Sequence, residues 1–190
     1  MSWQRKILRV NLTAATWQVE PLNMEWAQDY IGERGLGSKY LVENVDPGVD
    51  PLGPDNVLIF ATGPLTGTMA STSGRYAVIT KGPLNGAISC SNSGGKFGAE
   101  LKFAGYDLVL IEGRSESPCY LVIEDDEIRI LSAEGIWGTS VWETEEWIRN
   151  KHQNPKLRVA SIGIAGERGV RYAAVINDLH RAAGRSGVGA

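Results

Sequence analysis

The chain has 190 residues, 43% hydrophobic and 22% charged, with a formal net charge of −3. That length suits one sizeable domain or two small ones, with the composition of an ordinary globular protein. The slightly acidic balance excludes a polybasic field for nucleic acid or anionic membrane, and no apolar run is long enough to span a bilayer. The opening MSWQRKILRVNL lacks the apolar core of a secretory signal. Cys90 and Cys119 form no C-x-x-C pair. Their spacing argues for a reducing compartment, hence a cytoplasmic location, and against a structural zinc or an iron–sulfur cluster held within these residues. With only His152 and His180 as histidines, a metal held by several side chains is not expected.

In chain order, residues 7–12 (ILRVNL) and 17–20 (WQVE) alternate as strands do and form an opening hairpin around TAAT. Residues 23–30 read as a helix capped by Asn23 and ended by Gly32. A second helix, 36–44, stops at the loop DPGVDPLGPDN. VLIFA at 57–61 fits a buried strand and runs into the turn-rich TGPLTG. Strands follow at 75–80 and 87–90, then a helix at 96–103. Strands at 108–112, 120–124 and 127–131 come next, the last two joined by the acidic tip EDDE. A helix at 141–151 follows Thr139 and Ser140, and strands at 158–162 and 171–176 complete the set. Strands linked mostly by hairpins outnumber helices, so the expected class is α+β with largely antiparallel sheets. No repeat and no interdomain linker is visible. The last residues, HRAAGRSGVGA, stop inside a glycine-rich cationic motif, which implies a longer chain or a partner chain.

Glycine is abundant, at 23 residues, and it clusters. Four stretches share a style in which a strand meets a polar, glycine-rich corner: ATGPLTGT (61–68), STSGRY (71–76), SNSGGKFG (91–98) and NDLHRAAGRSGVG (177–189). Such corners aim several backbone N–H groups one way and bind phosphate oxygens without special side chains. Arg75, Arg181 and Arg185 would add permanent charge and bidentate hydrogen bonds. No GxxxxGK[ST] loop occurs, no GxGxxG follows the first strand, and GRSGVGA has no helix behind it. An isolated SNSGG is ordinarily just a helix start, and a lone Arg75 ordinarily pairs with a carboxylate. Several corners together change that balance, because phosphate chemistry is what they share. Cys90 reads as a small buried hydrophobe, and His180 as a loop-orienting residue rather than a base.

GPLTGT, SGRYAVITKGPL, SNSGGKFGAELKFAGYD, ASIGIAGE and NDLHRAAGRSGVGA, in this order and spacing, resemble the N-terminal domain of the aldehyde:ferredoxin oxidoreductase family. The resemblance covers nearly the whole chain. It implies a base of two mainly antiparallel sheets related by a pseudo-twofold, carrying a tungsten (or molybdenum) bis-pyranopterin whose phosphates share a magnesium ion. It implies that Arg75, Asn92 and Gly94 contact one half of the cofactor, and Arg181, Ala182 and Gly184 the other. The backbone carbonyls of Asn92 and Ala182 would reach magnesium, which suits a hard cation.

The family's [4Fe–4S] cluster and acid/base residues lie in later domains. Residues 1–190 therefore read as a tungstopterin-seating domain with no catalytic residue of its own. The complete enzyme would oxidise aldehydes to carboxylic acids and pass electrons through the cluster to a ferredoxin-like carrier. Its partners would be the rest of the oxidoreductase and, for the whole enzyme, a second copy. Two other readings stand beside this one. The chain would be a non-catalytic binding or assembly subunit, or a generic phosphate- or nucleotide-binding domain, which the missing loop motifs disfavour.

Overall fold

The computed structural model describes residues 3–190. β1 (Lys6–Asn11) and β2 (Thr16–Pro21) form the opening hairpin, followed by α1 (Met24–Tyr30) and α2 (Glu33–Asn44). Then come β3 (Val57–Thr62), β4 (Tyr76–Lys81), β5 (Ile88–Ser93), α3 (Phe97–Phe103) and β6 (Leu108–Glu112). β7 (Cys119–Glu124) and β8 (Glu127–Ser132) pair with each other, and α4 (Val141–Lys151) follows. The chain ends with β9 (Ala160–Ser161), α5 (Ile164–Glu167), β10 (Val175–Asn177) and β11 (Arg181–Ala183).

The expected α+β class is what forms, with mostly antiparallel pairing and short helices. The strands divide among three sheets. The largest has the order β2-β1-β6-β3-β4-β5; the others are β11-β10-β9 and the β7-β8 hairpin. One pair in the large sheet, β1 with β6, runs parallel. No local pattern points to this pair, because its strands are separated by three helices and four strands.

Alternation along the central strands explains the layers. Ile7, Ile59, Ala61, Ala77, Ile79, Leu108 and Leu110 pack on one face against Leu36, Tyr40 and Leu41 of α2. Leu8, Val10 and Val109 pack on the other face with Leu101 of α3 and Ile128 of β8. Tyr76 and Val78 meet Val175 and Ala183 of the small C-terminal sheet and Val188 beyond it. Strands covered on both faces read as continuous apolar runs rather than as half-polar ones, which is why VLIFA lacks alternation.

Two local devices hold the helices beside the glycine corners. Asn23 caps α1 as expected, its side chain accepting from Trp26 N. Asp107, buried after α3, accepts from Gln4 N at 3.1 Å and Arg5 N at 2.6 Å and pairs with the buried Lys102. A buried carboxylate is tolerable when its oxygens are paired, as here by Lys102 and two backbone N–H groups. The clamp ties the end of α3 to the start of β1.

Several boundaries move. β5 runs on through Ser91, Asn92 and Ser93, which were expected to form the corner, and the turn proper is Gly94–Gly95. The strands expected at 158–162 and 171–176 shrink to β9 and β10, while residues 181–183 become an edge strand instead of a loop.

Candidate functional site

The edge strand of the large sheet, β5, lies beside the edge strand of the small one, β11. Ser91 Oγ donates to Gly184 O at 2.8 Å and shares a short hydrogen bond with Ser186 Oγ. The corners after the two strands therefore open side by side.

Asn92 and Gly94 sit on this line from β5, both half-buried. Arg181 and Ala182 sit on β11, both exposed, and Gly184 follows. Arg75, exposed, directly precedes β4, and its carbonyl accepts from Thr66 Oγ1 at 2.9 Å. Gly74 connects it to the β5 corner: a Cβ on Gly74 would meet Gly95 O at 2.3 Å, so backbone passes against backbone there. The six residues expected from the sequence thus lie in one connected neighbourhood. The space above it is open. Nothing lies within 4 Å of where a Cβ on Gly94 would sit, and at Gly184 only the Ala182 Cβ comes near, at 3.9 Å.

Gly95 has φ +93°, a backbone that L side chains rarely adopt. A Cβ there would also meet Asp178 Oδ2 at 2.2 Å. Asp178 reaches across from the β10–β11 turn and accepts from Lys96 N at 2.7 Å, capping the approach to α3. The turn is built from left-handed residues, Asp178 at φ +46° and Leu179 at φ +63°. Strain of this kind persists only where surrounding contacts over-determine it.

Asn177 supplies those contacts, and sequence reasoning missed it. It is fully buried, at 0% exposure. Its Oδ1 accepts from Tyr76 Oη at 2.9 Å and from Ser93 Oγ at 2.7 Å. Its Nδ2 donates to Gly94 O at 2.9 Å and to Asp178 Oδ2 at 2.9 Å. Burial pushes the Tyr76 hydroxyl's pKa up, so the phenol stays a donor. The available signal was the ND pair opening the NDLHRAAG stretch, since Asn and Asp are the residues that tolerate left-handed turns.

Glu33 was missed as well. It opens α2 at φ +43° and accepts from Asn92 Nδ2 at 3.2 Å. Burial raises its pKa, opposed by the charges of Arg75 and Arg34. Cys90, on β5 nearby, is half-buried and its thiol is pushed up by burial. His180 is exposed and lies against the Trp142 ring, with centroids 6.2 Å apart.

The charge balance of the face is positive. Arg75, Arg181 and Arg185 form no ion pair among the described residues. Not every glycine belongs to this opening. A Cβ on Gly187 would strike Arg171 O at 2.1 Å, and one on Gly189 would strike Ala174 at 2.6 Å, so the final glycines serve packing.

Comparisons with known proteins agree with one another. Residues 7–190 match the family described as "Aldehyde ferredoxin oxidoreductase, N-terminal domain". A tungsten-containing aldehyde ferredoxin oxidoreductase of Pyrococcus abyssi is 55% identical over 185 residues, 97% of this chain and 30% of the relative. The WOR-like subunit of an aliphatic sulfonate oxidoreductase from Pyrococcus furiosus is 35% identical over 204 residues, 100% of this chain and 32% of the relative. Among solved structures, the active site complex BamBC of benzoyl coenzyme A reductase with 1,5-dienoyl-CoA superposes with a TM-score of 0.96. That match has 35% identity and covers 99% of this chain and 29% of the other. The chain thus spans about a third of the length of these relatives.

Proposed function

The chain belongs to the aldehyde ferredoxin oxidoreductase family, as its N-terminal domain, and from that premise we infer that it seats a tungsten bis-pyranopterin by its phosphates. The observation that carries this reading is the pair of corners after β5 and β11. They are joined through Ser91 and Asn177, open above Gly94 and Gly184, and flanked by unpaired arginines.

The residues fit the group. Arg75 and Arg181 would offset phosphate charge, and the backbone at Asn92, Gly94, Ala182 and Gly184 would lie against the ligand. The carbonyls of Asn92 and Ala182 would hold a magnesium ion between the phosphates, since a hard cation takes neutral oxygen ligands. When bound, the metal and its pterins supply the redox chemistry; this chain supplies position and charge. The metal would be held by the pterins rather than by this chain, so the same seat would suit molybdenum as well as tungsten.

At the scale of the whole enzyme, the reading is oxidation of an aldehyde to a carboxylic acid, with electrons leaving through a [4Fe–4S] cluster to a ferredoxin-like carrier. The cluster and the substrate pocket would lie outside residues 1–190, the chain alone would be inactive, and a homodimer of the complete enzyme fits the same reading. Relatives named for aldehydes, sulfonates and a coenzyme A thioester share this domain. That spread supports cofactor seating here and substrate choice elsewhere.

Protein purified without oxygen, from cells given both tungstate and molybdate, tests the reading. Elemental analysis and the fluorescence of oxidised pterin should show metal and pterin together, and Arg75→Ala and Arg181→Ala should each lower both. Bound nucleotide with no pterin would overturn it.

A further inference from the structure

Glu145 of α4 is buried, at 3% exposure, and its partners lie on two sides. One oxygen pairs with Arg149, one turn along the same helix, whose Nε is spent on Leu157 O at 3.1 Å. The other, Oε2, accepts from the backbone N–H of Leu179 at 3.2 Å, across 34 residues of chain. Burying a carboxylate is costly unless it is paired and hydrogen-bonded. A hydrophobic residue of like volume would pack α4 without that cost, so packing alone does not account for a glutamate here.

Leu179 is where such a bond matters. It sits at φ +63°, after Asp178 at φ +46°. Aspartate tolerates left-handed backbone; leucine has no preference for it and must be held there. The turn is short. β10 and β11 pair with Asn177 opposite Arg181, so residues 178–180 are the whole connection, closed by His180 N donating to Asp178 O at 2.7 Å. Arg181 is the next residue, the first of β11.

The other contacts on this side of the turn are looser. The Trp142 and His180 ring centroids are 6.2 Å apart. Arg158 Nη1 stands 3.7 Å from Asp178 Oδ1, and Asp178 Oδ1 and Arg158 Nε are both buried without a hydrogen-bond partner. The second oxygen of Asp178 is committed to Lys96 N at the β5 corner. Glu145 thus provides the direct hydrogen bond by which α4 reaches the turn. The helix is a firm anchor: Ser140 and Glu143 form a reciprocal capping box, and Ile148 packs with Ala133, Ile136 and Val159.

We propose that Glu145 is a positioning residue for the seat: by holding the Leu179 amide it keeps the turn left-handed and so sets where Arg181 and the corner after β11 stand. This rests on the phosphate-seating reading above. Glu145 meets no ligand itself; its effect passes through the backbone of the turn.

Glu145→Ala and Glu145→Gln, compared with the unmodified 190-residue chain, separate this role from plain stability. Each is titrated with inorganic phosphate, followed at the amides of 181–185 and 92–96, well below its own unfolding midpoint. Hydrogen exchange at the Leu179 amide is measured alongside. In Glu145→Ala that amide should lose protection, and phosphate affinity at 181–185 should fall about three- to tenfold, the range one hydrogen bond supports. Glu145→Gln gives up the ion pair with Arg149 but keeps an oxygen for Leu179 N. It should be destabilised yet retain most of both the protection and the affinity. If the alanine variant does not fold, Glu145→Asp, its carboxylate drawn back by one methylene, replaces it with the same expectation. An alanine or aspartate variant that binds phosphate at 181–185 as tightly as the unmodified chain, however unstable, overturns the proposal and leaves the seat intact. A glutamine variant as weak as alanine also overturns it, since charge rather than the hold on Leu179 would then matter. No phosphate shift at either corner, in the unmodified chain as in the variants, removes the seat itself and the proposal with it.

Discussion

Asn177 saturates its carboxamide: two donors bond to its Oδ1, and its two N–H groups reach Gly94 O and Asp178 Oδ2. Three of those partners belong to the large sheet or its corner, while Asn177 itself is on the small sheet. The residue therefore sets how the two corners stand relative to each other. Asn177→Leu removes all four bonds and leaves the Tyr76 and Ser93 hydroxyls buried and unpaired. The expected loss is roughly 3 kcal/mol of unfolding free energy. In a urea titration this shows as a lower midpoint with an unchanged slope. A variant as stable as the unmodified chain would mean the network is incidental. Glu33 acts on the same scale, as a carboxylate that accepts from Asn92 Nδ2 at the edge of the site.

Between residues and molecule, the working element is the short turn that ends an edge strand. Gly94–Gly95 ends β5, and Asp178–His180 opens β11; each packs on the other through Asp178 Oδ2 and Lys96 N. Gly95→Ala forces a side chain into left-handed backbone and against that carboxylate. The change is expected to cost roughly 1–3 kcal/mol and to weaken phosphate binding at the corner after β5, because its contact with Asp178 is broken. A variant that binds normally would separate turn geometry from binding. At this scale the sequence was only half legible. Periodicity placed α1, α4 and the central strands, and glycine clustering marked the corners that matter. It ended β5 too early, because Ser-Asn-Ser looks like a cap when the partner strand is unknown; pairing with β4 carries the strand to Ser93. It missed β11 because Arg-Ala-Ala has no strand preference of its own and is held extended only by β10. Asn177 and Glu33 were illegible for the same reason: their roles come from contacts across 84 and 59 residues of chain. The choice of the six expected residues rests on family resemblance, and physical chemistry explains only why such corners suit phosphates.

For the molecule as a whole, a sheet buried on both faces supplies rigidity, and the junction of its last strand with a second small sheet supplies the opening. Loops held by a rigid scaffold are where binding is expected. The central claim is that the two corners make one seat with a single cation between them. Manganese, a paramagnetic ion that prefers oxygen ligands as magnesium does, reports proximity directly. Added with inorganic phosphate in substoichiometric amount to the 190-residue chain, it should broaden the amides of 92–95 and 182–185 together, with the same concentration dependence. Broadening of one corner alone, or broadening confined to the acidic tip at 124–127, would contradict the account.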